Sequence, residues 1–145
     1  MSYELALMMT MTNDNEDVEV ILGQIVAKAN NYQAVPDGAG GRRMIKNSRV
    51  RTYEKNFLKQ CKIYAGRMIN RPFELIVVVY YMHNNFDLDN SLKTLLDCLQ
   101  YAGAITNDNL CTRIVADKRI DPYRPRVEFS IIPEPVPPSL FDEWS

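Results

Sequence analysis

Nine consecutive residues, Phe73-Glu74-Leu75-Ile76-Val77-Val78-Val79-Tyr80-Tyr81, constrain this chain more than any other stretch. The run is almost unbroken in its apolar character, is rich in β-branched side chains, and is preceded by Arg71-Pro72. It predicts a central strand covered on both faces. No apolar run approaches the roughly 18–20 residues that span a bilayer, so no membrane partner is expected. With 145 residues, 46% of them apolar, the chain suffices for one domain with a real core and not for two.

Further elements lie on either side. Val18 to Ile25 is partly alternating and predicts a first strand. Ala29 to Asn47, with Asn30, Asn31, Pro36, Asp37, Gly38, Gly40 and Gly41, has the composition of a long mobile loop, and its glycines lack the spacing of a dinucleotide fingerprint. A helix capped by Ser48 is predicted to run to about Met68, burying Tyr53, Phe57 and Tyr64 and stopping at Arg71-Pro72. A second helix begins at an N-cap Asp89, with Leu92, Leu95, Leu96, Leu99 and Ala102 on its apolar face and Gly103 as the residue that ends it. Leu110 to Ala116 predicts a strand, Asp121 to Pro125 a turn, and Arg126 to Ile132 a half-exposed edge strand. The fold class expected is α/β, with α+β as the neighbouring class: one mixed β-sheet with two main helices packed on it. Residues 1–17 read as an N-terminal extension, 18–132 as the domain, and 133–145 as a Pro-rich acidic tail that cannot join a sheet or helix.

Charge is unevenly placed. Net charge is −1, yet Arg42, Arg43, Lys46, Arg49, Arg51, Lys55, Lys59, Lys62 and Arg67 face only Glu54 in their segment, while the first 40 residues hold six acids. A basic stripe of this kind tracks phosphates, or is simply a solvated face. The start Met1-Ser2-Tyr3-Glu4-Leu5 lacks the basic region of a leader, which points to the cytoplasm. Cys61, Cys98 and Cys111 are odd in number and show no CxxC spacing, with His83 the single histidine. Reduced thiols are expected, and neither a disulfide framework nor a structural zinc site.

Chemistry is concentrated in Phe86-Asp87-Leu88-Asp89-Asn90-Ser91-Leu92-Lys93-Thr94-Leu95-Leu96-Asp97. Asp89, Lys93, Asp97 and Gln100 share the helix face opposite Leu92, Leu95 and Leu99, and Asp87 approaches from the same side. Oxygen ligands without thiolates suit a hard divalent cation, Mg²⁺ or else Mn²⁺, which bridges a phosphate and acidifies a water. A third carboxylate is needed, and Asp108 is the candidate. It can reach back along the helix from its own chain, or it can come from a second subunit. Against this stands the plainer reading of Asp87 and Asp89 as a helix cap.

These residues resemble the RusA family of Holliday junction resolvases. The signature is Asp87-Leu88-Asp89-Asn90, Lys93, Asp97, Leu99 and Gly103, then the turn Asn107-Asp108 before a strand. The resemblance covers about Phe73 to Ile132 and extends more weakly through Asn30-Asn31-Tyr32 and the basic helix. It implies a small homodimeric endonuclease, bacterial or phage-encoded, that uses Mg²⁺ to nick branched double-stranded DNA symmetrically. Carried over by position, Asp87, Asp89 and Asp108 would be the catalytic metal ligands and Lys93 the catalytic lysine, with Asn90, Asp97 and Asn107 behind them. Arg42, Arg43, Lys46, Arg49, Arg51, Lys55 and Lys59 would contact DNA. One departure stands out: the family commonly has two acids in the turn, and Asn107 replaces the first. The alternative is a branched-DNA binding protein of the same fold without catalysis. A further reading gives the tail, with Leu140, Phe141 and Trp144, a replication or repair partner.

Overall fold

The computed structural model describes residues 17–27, 32–46 and 48–135. Its centre is a four-stranded mixed sheet built from β1 (Glu19–Leu22), β4 (Phe73–Tyr81), β5 (Cys111–Ile120) and β6 (Arg126–Pro133) in the spatial order β1-β6-β4-β5. A two-stranded hairpin, β2 (Tyr32–Pro36) and β3 (Arg42–Lys46), stands apart from the sheet and precedes helix α1 (Ser48–Gln60). Helix α2 (Leu88–Tyr101) joins β4 to β5, which pair in parallel, as a crossover connection requires; β6 pairs antiparallel with both β4 and β1. The single domain with a mixed sheet and two helices is the architecture expected. None of the helices among the described residues is long and apolar enough to cross a membrane.

β4 is inaccessible along nearly its whole length, as its composition demands. One face, with Leu75, Val77, Val79 and Tyr81, packs with Phe129 and Ile131 of β6 against Tyr53 and Phe57 of α1 and Leu95, Cys98 and Leu99 of α2. Tyr53 and Tyr64 are core aromatics, and Tyr64 lies 5.7 Å from Phe129 between ring centroids. The opposite face holds Ile76, Val78 and Tyr80 with Val18, Val115 and Ile132. The cysteines are free, with Cys61 and Cys98 buried.

Five local expectations are corrected. The segment read as a mobile loop contains the β2–β3 hairpin, because its turn is locked: Asp37 Oδ1 accepts from Ala39 N at 2.8 Å and Gly41 N at 3.0 Å. Gly38 and Gly40 take the positive φ values, +83° and +86°, that such a turn needs.

Helix α1 ends at Gln60, eight residues before Met68 and well before Arg71-Pro72. A carboxylate from far away competes for the backbone there: Glu19 Oε1 accepts from Lys62 N at 2.9 Å, Ile63 N at 2.8 Å and Tyr64 N at 3.3 Å. Ser48 is the first helical residue, so the cap position falls on Asn47, outside the described residues.

Strand β6 is an inner strand, with β1 and β5 at the edges among the described residues. Its polar alternation finds partners in place of water: Glu128 meets Arg126 at 3.0 Å, and Ser130 Oγ donates to Asp17 O at 2.6 Å. Pro133 also pairs with Phe73, so the tail segment joins the sheet by its first residue. The remainder of the tail from Val136, and residues 1–16 of the extension, lie outside the described residues.

Candidate active site

Helix α2 starts earlier than its sequence pattern predicts. Asp87 is the N-cap residue, with extended φ and ψ of −95° and 126°, and its side chain makes no capping hydrogen bond. Asp89 sits inside the first turn. Both carboxylates are exposed at the positive end of the helix dipole, whose field favours their ionised form. Since the cap oxygen is not spent on the backbone, the cap reading does not account for Asp87.

The backbone carrying Asp87 is fastened by three elements. From β4, Tyr81 donates its hydroxyl to Ser91 Oγ at 2.7 Å and lies 3.4 Å from Asp87 O. From α2, Ser91 Oγ donates to Asp87 O at 3.1 Å. From β5, Lys118 Nζ donates to Phe86 O at 2.6 Å and Asn84 O at 3.1 Å, and stands 5.5 Å from the Tyr81 ring centroid. Asn90 Nδ2 reaches Asp87 Oδ2 at 3.5 Å. Phe86 stacks between Tyr81 at 5.3 Å and His83 at 4.7 Å. Burial pushes the Tyr81 hydroxyl's pKa up, Ser91 opposes the shift, and the Asp87 and Asp89 carboxylates add to it. Tyr81 is therefore a neutral donor at physiological pH.

Lys118 and Tyr81 hold the candidate site's backbone, and periodicity alone does not find them. The strand register reveals the role of Lys118: it is aligned with Val79 of β4, on the face that carries the core, where a cation needs a partner. Ser91 and Thr94 gave a similar sign. Both are buried in a helix face otherwise made of Leu95, Cys98 and Leu99, and Thr94 Oγ1 donates to Val26 O at 2.8 Å. This shifts the buried face around the helix: Leu92 and Leu96 are only partly covered.

Lys93 is exposed one turn beyond Asp89, and Asp97 is partly buried a further turn along. Asp108 is elsewhere. It opens a single 3₁₀ turn, Asp108–Leu110, whose N-cap Asn107 accepts from Asn109 N at 3.0 Å. Asp108 N donates to Gln100 Oε1 at 2.7 Å, which ties this turn to the C-terminal end of α2. Asp89 and Gln100 are eleven residues apart on one helix, about 16 Å at ~1.5 Å per residue. Gly103, at φ +68°, closes the helix as predicted: Gly103 N donates to Gln100 O and Ala104 N to Leu99 O. The chain thus leaves Asp108 at the far end of the helix from Asp87 and Asp89. Among the described residues no group of three or more His, Cys, Asp or Glu could hold a metal ion.

Two carboxylates and an amide, with no thiolate beside them, nevertheless fit Mg²⁺ in part. That ion commonly takes one or two protein carboxylates and completes its shell with water and substrate phosphates.

The basic residues divide between two elements. Arg42 and Arg43 lie exposed on β3, and Arg49, Arg51, Lys55 and Lys59 lie exposed on α1. Lys46 ends β3, and its side chain is outside the described residues.

Comparison with known proteins bears on this arrangement. A family model described as endodeoxyribonuclease RusA matches residues 23–132. The crossover junction endodeoxyribonuclease RusA of Aquifex aeolicus (strain VF5) is 26% identical over 125 residues, which cover 85% of this chain and 97% of the relative. The matched segment runs from the end of β1 through the hairpin, both helices and the whole approach to Asp87, and the chain belongs to the RusA family of endodeoxyribonucleases.

Proposed function

We propose that this protein is a Mg²⁺-dependent, structure-specific endonuclease that resolves Holliday junctions or other branched DNA by paired hydrolysis of phosphodiesters, acting as a homodimer. The observation that carries the reading is the pair Asp87 and Asp89: exposed carboxylates on a backbone locked by Tyr81, Ser91 and Lys118. They stand where β4 gives way to α2, outside the carboxyl end of the parallel β4–β5 pair, where ligands of α/β sheets bind.

Asp87 and Asp89 would hold the cation, which would supply Lewis acidity at the phosphoryl group and lower the pKa of an attacking water. Lys93, one helical turn on, stabilises the charge that develops on the phosphoryl oxygens. Rigid anchoring of the Asp87 peptide limits the reorganisation needed when substrate arrives. Asp97 and Asn90 lie on the same helix behind these groups.

Asp108 completes the site from a second copy. β5 is an edge strand, and Lys118 near its C-terminal end touches the Asp87 loop, while Asp108 immediately precedes its N-terminal end. Antiparallel pairing of β5 with the same strand of a partner sets those two ends side by side, twice, around one twofold axis. Two such sites match two opposed strands of a junction, and Arg42, Arg43, Arg49, Arg51, Lys55 and Lys59 run along its arms. The second reading, a branched-DNA binding protein without catalysis, is favoured by Asn107. The structure gives Asn107 a cap's work, and a cap does not require an acid.

The test is a synthetic four-way junction incubated with Mg²⁺ and separately with EDTA. Paired nicks that need the metal and disappear in Asp89→Asn support the proposal. Retained binding without cleavage in Mg²⁺ or Mn²⁺ refutes it in favour of the binding protein.

A further inference from the structure

The turn between β5 and β6 shares the carboxylates' end of the sheet and takes no part in holding them. Its backbone is fixed from several directions. Asp121 Oδ1 accepts from Tyr123 N at 3.2 Å and Arg124 N at 3.1 Å. Asp121 N donates to Tyr81 O at 2.8 Å, and Gly23 N to Pro125 O at 2.9 Å. Arg126 Nη1 donates to Asp121 Oδ2 and to Arg124 O, each at 2.9 Å. The same guanidinium lies 3.7 Å from the Tyr80 ring centroid and bonds Glu128 at 3.0 Å. Glu128 is only 1% exposed, so a charge is buried to anchor this surface turn, a costly arrangement. Pro122 and Pro125 restrict what freedom is left.

On that mount Tyr123 is 97% exposed. Arg124 beside it is exposed too, and within the turn it is bonded through its backbone N–H and carbonyl only. A single exposed aromatic on a loose loop would mean little. Here the ring stands clear of its own domain on backbone that is already ordered, which removes most of the entropy cost of using it.

We infer that the Tyr123–Arg124 turn is a stacking site for an unstacked nucleobase at the branch of the DNA, with Tyr123 on the face of the base and Arg124 on the adjoining phosphate. The inference rests on the reading of this protein as a branched-DNA endonuclease. Every base offers a π-face, so stacking is tolerant of sequence. Bases at a crossover are those that a duplex arm does not hold between two neighbours. Arginine matches a phosphate with two donors in one plane.

The test uses the full-length protein in EDTA, where no cleavage interferes. Dissociation constants are measured for a four-way junction and for a linear duplex of the same arm sequence. Asp121 and Arg126 are untouched and Tyr123 makes no core contact, so Tyr123→Ala is expected to fold. It should bind the junction about fivefold to a hundredfold more weakly, with duplex binding unchanged, while Tyr123→Phe, which keeps the ring, stays within twofold of the unmodified protein. A 2-aminopurine at the branch should change fluorescence on binding the unmodified protein and not Tyr123→Ala. Equal junction affinity for Tyr123→Ala and the unmodified protein overturns the stacking site, as does an equal loss on linear duplex. An altered sedimentation coefficient for Tyr123→Ala overturns it as well, since the turn then serves contact between copies. Failure of the unmodified protein to prefer the junction sinks the endonuclease reading itself, and shows in a different sample.

Discussion

At its N-terminal end α2 presents Asp87 and Asp89 on backbone held by Tyr81, Ser91 and Lys118, whereas at its C-terminal end the helix closes on Gly103 and Gln100 fixes the turn that carries Asp108. Both termini are well ordered, yet to different effect. The first is built to hold two carboxylates outward without using them as caps. The second is an ordinary helix terminus with an acid on the turn beyond it. A chain with a complete three-carboxylate site would fold Asp108 back along the helix; this one leaves it a helix length away. The difference teaches that a family-like order of acids in a sequence does not by itself place them in one site of one chain.

The largest expected effect tests the first end. Asp89→Asn should lower junction cleavage by about a thousandfold or more, since a metal's Lewis acidity is worth several kcal/mol. The melting temperature should stay close to that of the parent, because Asp89 is exposed. Loss of the fold instead would return the pair to a structural role.

Next is the clamp. Lys118→Met removes the donor to Phe86 O and Asn84 O, and outer groups of this kind are worth about 10- to 100-fold in metal affinity. Binding of Mn²⁺ followed by electron paramagnetic resonance reads the shift without relying on turnover. An unchanged Mn²⁺ titration would show that the loop holds its shape without Lys118.

At the other end, Gly103→Ala places a side chain at φ +68° and brings a Cβ to 3.3 Å from Met68 Sδ. Urea unfolding should show a loss of about 1–2 kcal/mol. Gln100→Ala removes the acceptor for Asp108 N and should cost about 1 kcal/mol. Together the two variants separate the stability of this terminus from any catalytic role of Asp108.

The smallest effect depends on pH. Arg126, bonded to Asp121, holds that carboxyl below the ordinary carboxylate range. Its folded-state value is lowered, so the contribution is fully present at neutral pH and is lost as pH falls through the acid range. Asp121→Asn should lower stability at neutral pH, flatten the acid part of the profile and converge with the parent at its acid end.

How much of this could be read beforehand depends on whether the deciding contact was local. The central strand followed from nine residues, and the end of α2 from the glycine after its apolar face. Helix α1 was predicted too long because the carboxylate that ends it, Glu19, lies more than forty residues earlier. β6 looked like an edge because Glu128 and Ser130 alternate with apolar residues, and only the structure supplies Arg126 and Asp17 as their partners. The hairpin hid in a loop-like composition, since aspartate and glycine mark its turn more loudly than its short strands mark themselves. For the site, Asp87 and Asp89 were legible because they are close together in sequence. The position of Asp108 depends on the path of the chain after Gly103, and Lys118 reaches the site across the sheet.

Mixing subunits tests the composite site most directly. An Asp87→Asn/Asp89→Asn protein and an Asp108→Asn protein, each inactive alone, are unfolded together, refolded and assayed on a four-way junction with Mg²⁺. If Asp108 acts across the interface, the mixed dimer regains one intact site, and single nicks return at up to about half of the dimers formed by random assortment. Continued inactivity of the mixture, with mixed dimers demonstrated by a tag on one partner, would contradict the account.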